Sequence, residues 1–195
     1  MTEALENEQD FIARQIEDGI VLKRELISQT DSILKVASLL VQAFRRGNKV
    51  LLFGNGGSAA DAQHIAGELA GRFYLDRDPL PAIALTANTS SLTAIANDYD
   101  YEIIFARQLK ALARKGDVAI GISTSGNSLN VIAAIEEATR CGATTIALIG
   151  RGGRLAEVAD HVISVPSEDT PRIQEVHITI AHLICSLVER ALFQK

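Results

Sequence analysis

Five short apolar runs, each bounded by Gly, Ser, Asn or Asp, alternate along this chain with stretches of helical periodicity. The runs are Lys49–Phe53, Pro81–Thr86, Asp117–Ile122, Thr144–Ile149 and His161–Val165. Each has the length of a strand and so little polarity that it reads as buried on both faces. Between them lie helical stretches at 58–72, 90–97 followed by 102–114, 129–141, and a short one near Leu155. Strand alternating with helix predicts parallel βαβ units, hence an α/β fold with a doubly wound, flavodoxin-like five-stranded parallel sheet.

Before the first run, Phe11, Ile12, Ile16 and Ile20 and then Ile33, Val36, Leu40 and Phe44 recur at helical spacing, with Asp31 placed to cap a second helix and Gly47 to end it. This predicts an N-terminal helical hairpin. The last segment, 171–193, is one long helix with apolar residues around most of its circumference, so it needs cover on nearly every side. The expected division is a helical segment 1–47 used in oligomer packing and a sheet domain 48–195, together one globular unit.

The formal charge of -5, from 19 Lys plus Arg against 24 Asp plus Glu, removes the broad attraction that drives nucleic-acid binding. Cys141 and Cys185 form neither a C-x-x-C motif nor a disulfide framework, which points to a reducing compartment. The opening MTEALENEQD is acidic and polar, and no uninterrupted apolar run reaches the ~18 residues of a membrane span. A soluble cytoplasmic protein with no nucleic-acid and no membrane partner is the expectation.

Two loops carry the chemistry. The first run ends in Gly54-Asn-Gly-Gly-Ser58 and the third in Ser123-Thr-Ser-Gly-Asn-Ser128, and each opens directly into a helix. Backbone N–H groups at a helix N-terminus, reinforced by hydroxyls, hold an anion without any formal positive charge. In the flavodoxin-like order strands one and three flank the switch point where ligands bind. The first loop also fits G-x-G-x-x-A, but the second strand ends Leu85-Thr-Ala-Asn88 with no acid to hold a ribose, and no G-x-x-x-x-G-K-[ST] is present. A small phosphate monoester is the better ligand.

His64 and Glu68, at i and i+4 on the helix launched by the first loop, share a face. The terminal helix carries Gln174, His177 and His182 among aliphatics; Gln174 and His182 stand ~80° apart around it and ~12 Å along it. His177 lies off that line and reads as a core or interface histidine. His64, Glu68, Gln174 and His182 make an N/O ligand set suited to zinc, and a carboxylate beside an imidazole can move a proton between neighbouring carbons. Whether the two ligands of the terminal helix stretch to one point, or different subunits contribute them, is left open.

The blocks GNGGSAADAQH, AIANDY, GDVAIGISTSGNS and RIQEVH through His182 occur in that order. With them the chain resembles the sugar isomerase (SIS) domain proteins from about Leu34 to Glu189, and most closely the phosphoheptose isomerases. The resemblance implies an SIS fold and an aldose–ketose isomerase. It would convert sedoheptulose 7-phosphate to D-glycero-D-manno-heptose 7-phosphate by enediol proton transfer, the first step of heptose biosynthesis. It implies substrate binding by Asn55, Gly56, Gly57, Ser58, His64, Glu68, Asn97, Asp98, Ser123, Thr124, Ser125, Ser128 and Gln174. It places one Zn2+ per subunit on His64, Glu68, Gln174 and His182, with Glu68 and His182 as the catalytic acid–base pair, and it implies a homotetramer. The alternative is a non-catalytic SIS phosphosugar-binding or replication-initiator-associating protein, whose kind typically lacks part of the His and Glu set. A regulator would bring a fused DNA-binding domain, for which there is neither spare length nor a basic face.

Overall fold

A computed structural model describes residues 2–194; Met1 and Lys195, the outer ends of the two expected segments, lie outside the described residues. The strands are β1 (Val50–Gly54), β2 (Ala82–Ala84), β3 (Val118–Ser123), β4 (Thr144–Ile149) and β5 (His161–Ser164). They form one parallel sheet in the order β2-β1-β3-β4-β5. The doubly wound sheet is therefore as expected, with one difference. Only β1 and β3 are buried throughout; β2 and β5, at the edges, are half-exposed.

The helices are α1 (Thr2–Glu25), α2 (Thr30–Arg45), α3 (Gly57–Ala70), α4 (Thr89–Asp98), α5 (Ile104–Leu112), α6 (Leu129–Arg140), α7 (Leu155–Val158) and α8 (Thr170–Phe193). Because successive strand residues point to opposite faces, they feed two separate cores. Val50, Leu52, Ile120, Ile122, Ile146 and Leu148 pack with α2, α3 and α8. Leu51, Phe53, Ala119, Ala147 and Ile149 pack with α5, α6 and α7. The helix after β1 thus lies on one face and the helix after β3 on the other, which opens a crevice at the carboxyl end of the sheet.

The N-terminal helices meet differently from the expected hairpin. A 3-10 turn at Leu26–Gln29 carries the chain from α1 into α2, so Asp31 sits inside the first turn of α2 and Gln29 takes the cap position. α1 packs on that turn and on α8 instead of along α2. Gly47, at φ 75°, does end α2, its N–H reaching back to the Phe44 carbonyl at 3.0 Å.

α8 is long and apolar enough, by length and composition alone, to cross a membrane. Here it is a core helix: Ile173, Val176, Ile180, Ile184 and Val188 are buried in the α2–α3–sheet core. His177 is 1% exposed, its Nε2 3.1 Å from the Ile149 carbonyl, so it is a core histidine.

Candidate active site

β1 passes into α3 through Gly54–Gly57. Gly56 takes φ 55° and ψ −120° at the cap of α3, a backbone conformation that a side chain would strain. Asn55 does more than line the loop. Its Nδ2 donates to Asn130 Oδ1 at 2.8 Å, its Oδ1 accepts from Asn130 Nδ2 at 2.8 Å, and Tyr101 Oη donates to that same Oδ1 at 3.1 Å. Asn130 lies in the first turn of α6, just after the second loop, so the two loops are tied together by a carboxamide pair. The Tyr101 bond also brings the end of α4, with Asn97 and Asp98, towards the first loop; Asn97 Nδ2 donates to Asp98 Oδ1 at 2.9 Å and both side chains face solvent.

In the second loop, Ser123 Oγ lies 2.9 Å from Ser128 Oγ and 3.4 Å from Ser125 Oγ. Ser128 heads α6 without a side-chain cap bond, so its hydroxyl is committed to this cluster instead of to the helix. Thr124 and Ser125 line a cleft of about 400 Å³ with Arg151, Gly152 and Thr170. Ser58, in the first turn of α3, is buried and takes a supporting place behind the loop.

The His and Glu residues converge within one chain. His64 Nε2 lies 3.1 Å from Glu68 Oε1 and 3.4 Å from His182 Nε2, the two imidazoles meeting edge to face at 5.0 Å. One nitrogen or oxygen from each of the three falls within 4.8 Å of the others. His182 reaches the His64–Glu68 pair on α3 within its own chain. Gln174 stands two turns earlier on α8, its carboxamide pressed against the Cα of Gly57: a Cβ built there would come within 2.8 Å of Gln174 Cδ. The same helix therefore presents His182 to the middle of α3 and Gln174 to its start.

Three of the four expected donors, His64, Glu68 and His182, are spaced to fit a zinc ion, while Gln174 lies against the start of α3. Four ligands at the usual ~2.0–2.1 Å around a tetrahedron are roughly 3.3 Å from one another, close to the 3.1 and 3.4 Å separations found.

Asp61 was missed from the sequence. One turn before His64 on α3, its Oδ2 is buried with no hydrogen-bond partner. Burial raises its carboxyl above the ordinary value, against the lowering pull of His64 and His182. A carboxylate at i−3 from a histidine, on the face already assigned to the site, was the available signal. Phe73 is a second addition, its ring 5.6 Å from that of His182.

A parallel sheet whose first and third strands end in linked hydroxyl- and glycine-rich loops, beside a His–Glu–His cluster, defines a sugar isomerase domain. The SIS domain family matches residues 16–150. The chain is 51% identical over 187 residues, 95% of each chain, to the phosphoheptose isomerase of Trichlorobacter lovleyi. Solved phosphoheptose isomerases from Francisella tularensis (TM-score 0.91, 37% identity, 94% of this chain and 98% of that one) and Neisseria gonorrhoeae (0.88, 42%, 93% and 98%) share its fold. The chain belongs to the phosphoheptose isomerases, and it is an isomerase.

Proposed function

We propose that this isomerase interconverts sedoheptulose 7-phosphate and D-glycero-D-manno-heptose 7-phosphate. The observation that carries the reading is the convergence of His64, Glu68 and His182 within 4.8 Å beside the two linked loops. The phosphate is held by the Ser123, Thr124, Ser125 and Ser128 hydroxyls and the N–H groups at the start of α6. Asn55, Gly56, Gly57, Ser58, Asn97, Asp98 and Gln174 line the path of the sugar chain.

Glu68 and His182 form the acid–base pair. One removes a proton from C1 of the ketose while the other protonates the C2 carbonyl oxygen, giving a neutral enediol. Return of a proton to C2 and loss of the C1 hydroxyl proton complete the aldose, so no atoms are gained or lost. His64, Glu68, Gln174 and His182 would hold one zinc ion, which would supply a Lewis acid to polarise the carbonyl.

Assembly as a homotetramer is supported by apolar side chains that lie open on the N-terminal segment and α8: Phe11, Ile12, Ile16, Ile27 at 77% exposure, Leu34 and Leu183. A mostly apolar groove of about 400 Å³ runs between these elements. The free Cys141 and Cys185 support a cytoplasmic setting.

Incubating the purified protein with sedoheptulose 7-phosphate and zinc tests the proposal. Appearance of the aldose phosphate supports it. No conversion under those conditions sinks the substrate assignment.

A further inference from the structure

Arg77 and Glu189 form an ion pair in which both side chains are 2% exposed, with Arg77 Nε donating to Glu189 Oε2 at 3.1 Å. Every remaining bond of the pair runs to backbone. Arg77 Nη2 donates to the carbonyl of Glu68 at 2.9 Å. Arg77 Nη1 donates to the carbonyls of Leu69, Gly71 and Asp78 at 2.9, 3.3 and 3.0 Å. The Glu189 carboxylate accepts from the N–H groups of Phe73, Tyr74 and Leu75 at 3.2, 2.8 and 2.9 Å. Burial alone would raise that carboxyl, but these donors and Arg77 outweigh it and hold it below the ordinary value.

Glu189 follows His182 by seven residues, two turns along one face of α8. Arg77 seizes the last turn of α3 by the carbonyl of Glu68 itself. Phe73, whose N–H binds Glu189, lays its ring against His182. A buried pair is costly to desolvate, and two apolar side chains of like volume would fill the same space. They would not cap the α3 carbonyls or gather three N–H groups.

We propose that Arg77 and Glu189 are positioning residues: the pair sets the separation of Glu68 and His182 by fastening the end of α3 to α8. The proposal rests on the reading of Glu68 and His182 as the acid–base pair. A displacement of ~1 Å between reacting groups costs up to ~10²-fold in rate.

The test is the double variant Arg77→Met/Glu189→Met, with Glu189→Asp beside it as the charge-retaining single change. The expected result for the double variant is a lower melting temperature, because the α3 carbonyls and the three N–H groups lose their partners, with kcat lower by about tenfold to a hundredfold and unchanged KM in the folded fraction, because the phosphate loops hang from β1 and β3. The ring-nitrogen NMR signals of His64 and His182 should shift in the metal-free protein. Parental kcat together with unmoved histidine signals overturns the proposal. Should the double variant unfold, Glu189→Asp decides by the same two readouts. If Glu68→Gln retains turnover, the acid–base reading fails on its own, while the histidine signals still report whether the pair positions the two helices.

Discussion

Asn55 and Asn130 exchange two hydrogen bonds of 2.8 Å through their carboxamides, joining the turn after β1 to the helix after β3. Neither amide can be removed without stranding the other, and Asn130 is 4% exposed. Leaving a buried donor unpaired costs about 1–3 kcal/mol. Asn130→Ala should lower the melting temperature and raise KM roughly tenfold, because the loops lose their mutual register. Thermal melts and steady-state kinetics on one preparation measure both.

Glu68→Gln removes a proton acceptor and keeps the volume. Turnover should fall by about 10²–10⁴-fold while the far-ultraviolet dichroism and melting temperature stay put. Near-parental turnover would remove Glu68 from the proton transfer.

His64→Ala deletes the nitrogen that lies 3.4 Å from His182 Nε2. Zinc content of the purified variant, read by elemental mass spectrometry, should drop well below one ion per chain. Unchanged occupancy would make the His64–Glu68 pair no more than a helix-surface contact.

Gly57→Ala places a methyl where the Gln174 carboxamide now lies. The expected outcome is lower kcat/KM with little loss of stability, since Gln174 swings away more easily than backbone moves. Gly67, in the same helix with open space at its Cβ position, is the control. Gly67→Ala should gain roughly 0.5–1 kcal/mol by reducing unfolded-state freedom. Urea titrations compare the two.

His177 is buried neutral, its imidazole pushed down by burial to about 4, with the bond to the Ile149 carbonyl opposing only in part. The unfolded chain protonates this ring below about pH 6.5 and the folded chain does not. Its contribution to stability is therefore complete above pH 6.5 and declines as pH falls from there to about 4, by up to about 3 kcal/mol. His177→Gln does not titrate, so its unfolding free energy should fall less steeply across that window.

The alternation of apolar runs and helices specified five parallel strands, because a strand buried on both faces leaves a continuous apolar signature, and their order agrees with the flavodoxin-like type expected. β2 and β5 carried the same signature, yet they lie half-exposed at the edges, since edge position depends on neighbours that composition does not name. Asp31 looked like a cap only if the chain broke before it, and the 3-10 turn at Leu26–Gln29 keeps it winding. His64, Glu68 and His182 were legible from spacing and polarity. Asn130 and the Arg77–Glu189 pair were not singled out, because their side-chain partners lie 75 and 112 residues away, and Asp61 makes no hydrogen bond through its buried Oδ2 that a pattern could have announced. A charge at Glu189 amid the aliphatics of α8 was the one local sign that such a partner had to exist.

The two cores on opposite faces of the sheet have a consequence for substrate choice. α3, with His64 and Glu68, belongs to one core, and α6, which follows the Ser123–Ser128 loop, belongs to the other. On the proposed reading, the helix that carries Glu68 and the helix that follows the hydroxyl loop lie on opposite faces of one sheet, joined by the β1–β3 pairing and, at its carboxyl end, by the Asn55–Asn130 clasp. On that reading the fixed spacing of β1 and β3 sets the span that a sugar phosphate must bridge.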